Sequence, residues 1–213
     1  VGIECLRGLN NSVILPSALF PPISYFALIL KENELKRVPI IEQNDFFVKQ
    51  TIRNRYRVYT SQGEHLLSVP LVSKSSKVLL GNISINYDMP WQKEHFRTLS
   101  AAYSSTPFFE HYIEALRPLF ETKFNSLREM NTWAFEKVID LLDLTLTYEY
   151  SENYIETDLD KDFRTTRNEL FLEFNTSYYQ LNFDQGMPFI GNLSILDVLF
   201  NQGPEARLLL TSH

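Results

Sequence analysis

The sequence predicts a mixed α/β fold, an N-terminal βαβ-like sheet with a β-hairpin followed by a mainly helical part packed on it. Three observations predict it. Near the start, two β-rich runs flank an apolar helical stretch, the order that makes a parallel strand pair. Two strand-like runs then sit either side of a glycine-bearing turn. From Trp91 onward, apolar residues recur at helical spacing.

The elements follow in order. Val13-Ile14-Leu15 is a short apolar run stopped by Pro16, the first strand. Pro21 and Pro22 precede Ile23 to Leu30, a helix with prolines at its start. Its apolar residues cover nearly the whole circumference, so it should be well buried. Arg37 to Ile41 is rich in β-branched residues and reads as the second strand, beside the first. Tyr56–Thr60 and Leu66–Leu71 flank Ser61-Gln62-Gly63-Glu64, a hairpin signal. Ser73 to Lys77 is a polar, basic loop, and Val78 to Ile85 reads as a further strand around Gly81.

Trp91 through Tyr103 places Phe96, Leu99 and Tyr103 at helical spacing. Thr106 before Pro107 looks like an N-cap with proline at the first helical position, and Pro118 should stop that helix. Ser126-Leu127-Arg128-Glu129 is a capping box, opening a helix with Leu127, Met130, Ala134, Val138 and Leu141 on one stripe. Asp143 to Tyr150 should leave it as a strand. Glu152 to Glu169 is charged and reads as a loop, while Glu169–Phe174 and Tyr178–Phe183 look extended. Ser194-Ile195-Leu196-Asp197 starts a short helix that Gly203-Pro204 stops. Residues 1–213 read as a single domain, with Asp88-Met89-Pro90 the best place for a seam.

Composition excludes several classes. A net charge of −6 disfavours nucleic acid as a partner, because phosphate contacts supply most of that affinity. No apolar stretch approaches the roughly 20 residues of a membrane span. Val1 to Asn11 has no basic region followed by an apolar run, so no secretory signal is expected and the location should be cytoplasmic. The lone cysteine, Cys5, has no partner for an internal disulfide. With four His and one Cys, no metal site is expected. The Asn-x-Ser sites at Asn10, Asn82, Asn175 and Asn192 are best read as coincidence or capping chemistry. Walker A, Gly-x-Gly-x-x-Gly, His-Glu-x-x-His and Gly-x-Ser-x-Gly are all absent, and the sequence leaves any cofactor unknown.

Two constellations stand above this background. Lys49-Gln50-Thr51-Ile52-Arg53-Asn54-Arg55-Tyr56-Arg57 gathers four cations in an acidic chain. Arginine forks bind carboxylate and phosphate bidentately, so Gln50, Arg53, Asn54 and Arg55 suit an anionic ligand such as a nucleotide-sugar. The competing reading is a solvated strand face with Arg53, Arg55 and Arg57 on one side. In Trp91-Gln92-Lys93-Glu94-His95, Trp91 and His95 share a helix face. His95 is then a candidate general base and Trp91 a wall for a sugar or base. The competing reading is a hydrogen-bonded structural histidine.

The order of these pieces carries a resemblance. Phe20-Pro21-Pro22-Ile23-Ser24-Tyr25-Phe26, Val48 to Arg55, Trp91 to His95, Ala102-Tyr103 with Thr106 to Phe109, Tyr179-Gln180, and Asn192 to Pro204 resemble the WbqC-like protein family, over roughly Val13 to Leu210. The resemblance implies a bacterial intracellular protein tied to O-antigen and other surface-polysaccharide gene sets. Many members carry Gln-Pro after the first strand and Gly before the Tyr-Phe pair. Here Ser17-Ala18 and Ser24 stand there, as in a Bacteroides-like subgroup. The expectation is an enzyme, of transferase type, that transfers or modifies a group on a nucleotide-activated sugar. Arg53, Asn54 and Arg55 would hold the donor and His95 would accept a proton. The alternative is a non-catalytic ligand-binding or scaffold protein of polysaccharide assembly.

Overall fold

The computed structural model describes residues 12–72, 78–156, 161–164 and 189–211. Strand β1 (Ile14–Pro16) leads through helix α1 (Ile23–Glu34) to β2 (Ile40–Glu42), and the two strands pair in parallel, Leu15 opposite Ile41. That is the expected βαβ unit. β5 (Glu149–Tyr150) adds to the far side of β2, also parallel, giving the order β1-β2-β5. All three residues of β1 and of β2 are buried; Ile14, Leu15, Ile40 and Ile41 are apolar, as in a covered parallel sheet, and the Glu42 carboxylate at the end of β2 pairs with Arg164 at 3.3 Å. The α1 helix buries Ile23, Tyr25, Phe26 and Ile29 in the core and runs one turn beyond Leu30.

The hairpin is β3 (Arg55–Thr60) against β4 (Gly63–Ser68), antiparallel, with Arg55 opposite Ser68 and Thr60 opposite Gly63. Gly63, at φ 94°, supplies the backbone turn that a side chain would resist. The expected strand over Val78 to Ile85 is instead a 3₁₀ turn, Leu80–Asn82. Gly81 lies so close to the Arg128 guanidinium that a Cβ there would stand 2.8 Å from it. The flanking residues pair singly and with different partners, Leu79 with Phe46 and Ile85 with Leu71. No single neighbour lines up to make a ladder.

The helical part is α2 (Trp91–Tyr103), α3 (Phe109–Glu121) and α4 (Leu127–Leu141). Thr106 does not cap α3. Its amide and its hydroxyl both donate to the Tyr103 carbonyl, at 2.8 and 2.7 Å, so it closes α2. Pro118 does not stop α3 either, which continues to Glu121. Pro118 is on the exposed side, where the carbonyl it frees can meet water, while buried Leu119 and Phe120 hold the last turn. Ser126 caps α4 as expected, its Oγ accepting from the Glu129 amide at 3.2 Å. The strand expected over Asp143 to Tyr150 shrinks to its last two residues. Asp143 turns at φ 49°, and the Thr147 amide and carbonyl are taken by the Asn33 side chain rather than by a neighbouring strand.

Ser194 opens α5 (Ile195–Gln202), which is buried on nearly every side. Gly203, at φ 53°, ends it, and a short helix α6 (Ala206–Thr211), not anticipated from sequence, follows a 3₁₀ turn. Among the described residues no helix is long and apolar enough to cross a membrane. The expected loop Ser73–Lys77, the extended segments Glu169–Phe174 and Tyr178–Phe183, and Tyr179-Gln180 lie outside the described residues.

Candidate functional site: an arginine-bearing cleft

Three chain segments are knitted together beside the hairpin. The Leu19 amide donates to the Ile52 carbonyl at 3.0 Å, tying the loop after β1 to the basic segment. Ser194 donates from its amide to the Arg57 carbonyl at 2.9 Å and from its Oγ to the Phe20 carbonyl at 3.0 Å. Pro22 and Ser194 form an antiparallel bridge. Asn192 accepts the Ser24 amide on Oδ1 at 3.0 Å, capping the start of α1 from a distance of 168 residues along the chain.

Between these segments opens a cleft of about 380 Å³, counted to its mouth. Phe20, Ile52, Tyr56 and Leu66 give it an apolar wall, and Arg55, Arg57, Asn192 and Ser194 its polar groups. The Phe20 and Tyr56 rings meet edge to face at 5.2 Å. β3 alternates faces, so Arg55 and Arg57 fall on the same side of the strand. Arg57 pairs with Glu64 across the hairpin at 3.4 Å. Arg55 has no ion-pair partner among the described residues, and its buried Nε has no hydrogen-bond partner.

The other residues singled out from sequence go elsewhere. Arg53 is 1% exposed and pairs with Asp45, with a further bond from its guanidinium to the Arg164 carbonyl at 3.1 Å. Burial pushes its pKa down from the usual arginine value while Asp45 pulls it back up. Asn54 is matched to Val69, Nδ2 to carbonyl and carbonyl to amide, each at 2.9 Å, which extends the hairpin by a step. Gln50 is exposed at φ 61°, and it does not line the cleft. Trp91 is buried against the rings of His95, at 5.1 Å, and Tyr87, at 6.0 Å.

His95 is 3% exposed. Its Nδ1 lies 3.1 Å from the Tyr56 hydroxyl, and a hydrogen bond to the Ser68 backbone holds the ring as well. Burial lowers its pKa to about 4, so at neutral pH it is an uncharged imidazole. It does not line the cleft; Tyr56 stands between, and burial raises the pKa of that phenol, which keeps its proton. Thus the structure brings Arg55 together with Arg57, and places Arg53, Asn54, Gln50, Trp91 and His95 outside the lining. Phe20, Tyr56, Asn192 and Ser194 were not picked as site residues. The signals were present in the Phe-Pro-Pro and Asn-Leu-Ser pieces, which both border the cleft.

Among the described residues no group of three His, Cys, Asp or Glu could hold a metal ion. The cleft offers cation, amide and aromatic surface, fit to hold an anionic group beside a flat apolar body.

This is a mixed α/β protein with a small parallel sheet and an arginine-bearing cleft at its hairpin. It belongs to the WbqC-like protein family, whose model matches residues 17–170. It is also similar to "Uncharacterized protein Rv1507c" of Mycobacterium tuberculosis (strain ATCC 25618 / H37Rv), 27% identical over 147 residues, which make up 68% of this chain and 62% of the relative. The chain thus spans less than two thirds of that relative's length. No solved structure matches it.

Proposed function

We propose that this protein serves bacterial surface-polysaccharide synthesis by holding a nucleotide-activated sugar in the arginine-bearing cleft, so that a group on it can be transferred or modified. The observation that carries the proposal is Arg55, a guanidinium without a described ion-pair partner, on the same strand face as Arg57 and beside an apolar wall. Arg57 is already matched by Glu64, so Arg55 is the cation left to take an anion from solution. A diphosphate would fill that role, with the base or sugar against Phe20 and Tyr56. Family membership supports the pathway, and cytoplasmic action fits a substrate made there.

A second reading, ligand binding without chemistry, is favoured by one observation. No carboxylate, histidine, cysteine or lysine is among the residues that line the cleft, and His95 reaches it only through Tyr56. In that reading His95 is a positioning residue for the Tyr56 ring.

Thermal shift and calorimetric titration with UDP-, GDP- and dTDP-linked hexoses test the proposal, with ATP and acetyl-CoA as comparators. A ligand that binds only the folded chain raises its stability by RT ln(1 + [L]/Kd). At least one nucleotide-sugar should raise Tm, and Arg55→Gln should weaken it roughly 10–100-fold, the worth of one or two charge-assisted hydrogen bonds. Silence across the nucleotide-sugars, or binding indifferent to Arg55→Gln, overturns the proposal. Mass spectrometry of the bound sugar after incubation then separates turnover from binding alone.

A further inference from the structure

The outer face of the hairpin carries three charges. From β3 come Arg55 and Arg57; from β4 comes Leu66, which stands opposite Arg57 and lines the cleft with it. Glu64 is two residues before Leu66, so it falls on that same face of β4. Its carboxylate approaches Arg57 Nε to 3.4 Å. Glu64 is not itself a lining residue and reaches the cleft only through Arg57.

The pair is loose. The two side chains are 38% and 39% exposed, and their separation exceeds the roughly 2.7–2.9 Å of a charge-assisted hydrogen bond. Exposed pairs of this kind add little to stability. Their weight falls on the local field instead. Without Glu64 the cleft would present two uncompensated guanidinium groups, and with it the cleft presents one, Arg55.

That difference sorts phosphate ligands by charge. In a nucleotide-sugar both phosphorus atoms are bridged on two sides, so each carries a single negative charge. A free nucleotide ends in a phosphate whose second ionisation falls near pH 6, so at pH 7.5 its terminal phosphate carries nearly two. The extra charge costs desolvation on entry, and only a second uncompensated cation would offset that cost. Glu64 removes that cation.

We propose that Glu64 is a specificity-determining residue. By cancelling Arg57 it lets the cleft hold diphosphate diesters, with one charge per phosphorus, while a free nucleotide gains nothing from its additional charge. This rests on the nucleotide-sugar reading of the cleft and adds how such a ligand is told from the free nucleotides around it. The discrimination is made by charge at the rim, where both partners of the pair meet solvent, and asks nothing of the shape of the interior.

Calorimetric titration of the full chain at pH 7.5 and low ionic strength tests it, with UDP-glucose, UDP and the β-methyl ester of UDP. The ester has the charge of the nucleotide-sugar without the sugar, so it separates charge from sugar contacts. Wild type should bind UDP no more tightly than the ester. In Glu64→Gln, UDP should gain about fivefold relative to the ester, the effect of one unit charge at about 4 Å in water, and the gain should shrink in high salt. The same variant should leave Tm unchanged, since an exposed pair contributes little. If UDP-glucose binds but the ratio of UDP to ester is the same in wild type and Glu64→Gln, the charge filter is overturned and the nucleotide-sugar reading stands. Wild type that prefers UDP to its ester overturns the filter as well. If neither UDP-glucose nor the GDP- and dTDP-linked hexoses bind either protein, the nucleotide-sugar reading itself falls and takes the filter with it.

Discussion

Acidification should destabilise this protein through one buried imidazole. His95 titrates at about 4 in the folded chain, because burial disfavours its charged form, against an ordinary value of 6.5. Above pH 6.5 both folded and unfolded chains carry it neutral, and it adds no pH dependence. Between 6.5 and about 4 the unfolded chain binds the proton and the folded chain does not, so stability falls as pH falls. Below about 4 both are protonated and the loss stops growing. The gap between the two values corresponds to about 3 kcal/mol in all, of which about 2.5 kcal/mol is lost by pH 4.5.

Urea denaturation at pH 7.5, 6.5, 5.5 and 4.5 measures this directly, with Trp91, edge to face with the His95 ring, as the fluorescent reporter. The comparison is His95→Gln, which cannot titrate. At pH 7.5 the variant should be less stable by about 1–2 kcal/mol, for the lost bonds to Tyr56 and Ser68. By pH 4.5 that deficit should vanish or reverse. His65, whose charge also presses on His95, is the control: His65→Asn should leave most of the fall in place. Parallel stability curves for wild type and His95→Gln between pH 7.5 and 4.5 would refute the reasoning, since they would mean the imidazole is as easily charged inside as outside.

Two further outcomes follow from the packing. Arg53→Ala strands the Asp45 carboxylate in a buried site and should cost about 3–5 kcal/mol at pH 7 by denaturant titration; a loss under about 1 kcal/mol would mean the pair is solvated. Gly203→Ala adds a Cβ 2.5 Å from the Phe108 ring at a residue with φ 53°, and should cost about 2–4 kcal/mol, read as a fall in Tm; an unchanged Tm would show that α5 can end another way.

Much of the fold was legible because local and tertiary preferences agree in it. The βαβ opening is written by an apolar run, a proline-started helix and a second apolar run, and burial on both faces demands such runs. The α2 and α4 helices carry their own apolar stripes, and α4 and α5 carry their own N-caps, Ser126 and Ser194. The failures share a cause, which is that a distant partner outbids the local pattern. Thr106 has the chemistry of an N-cap but finds the Tyr103 carbonyl first. Residues 143–147 have strand composition, yet Asn33, more than a hundred positions away, takes the Thr147 backbone. Gly81 reads as a gap in a strand, whereas it is the place where Arg128 crosses.

The candidate site was half legible for the same reason. Arg53, Asn54 and Arg55 are adjacent, and a strand period would set Arg53 on the face of Arg55 and Arg57. β3 begins only at Arg55, so the period holds for Arg55 and Arg57, and Arg53 lies in the preceding turn, directed at Asp45 in the interior. The basic run thus divides at the strand boundary into a structural ion pair and a cleft-lining pair, and composition alone cannot place that boundary. His95 is the mirror case. Its spacing from Trp91 and Leu99 put it on a helix stripe, and with Ala102 and Tyr103 also on that stripe the imidazole sits in the middle of the buried face, not at its rim. An imidazole there needs polar partners, which the hairpin supplies from the Tyr56 hydroxyl at Nδ1 and from the Ser68 backbone. The arrangement makes His95 the pin between helix and hairpin, and through Tyr56 it fixes one wall of the cleft that Arg55 and Arg57 charge.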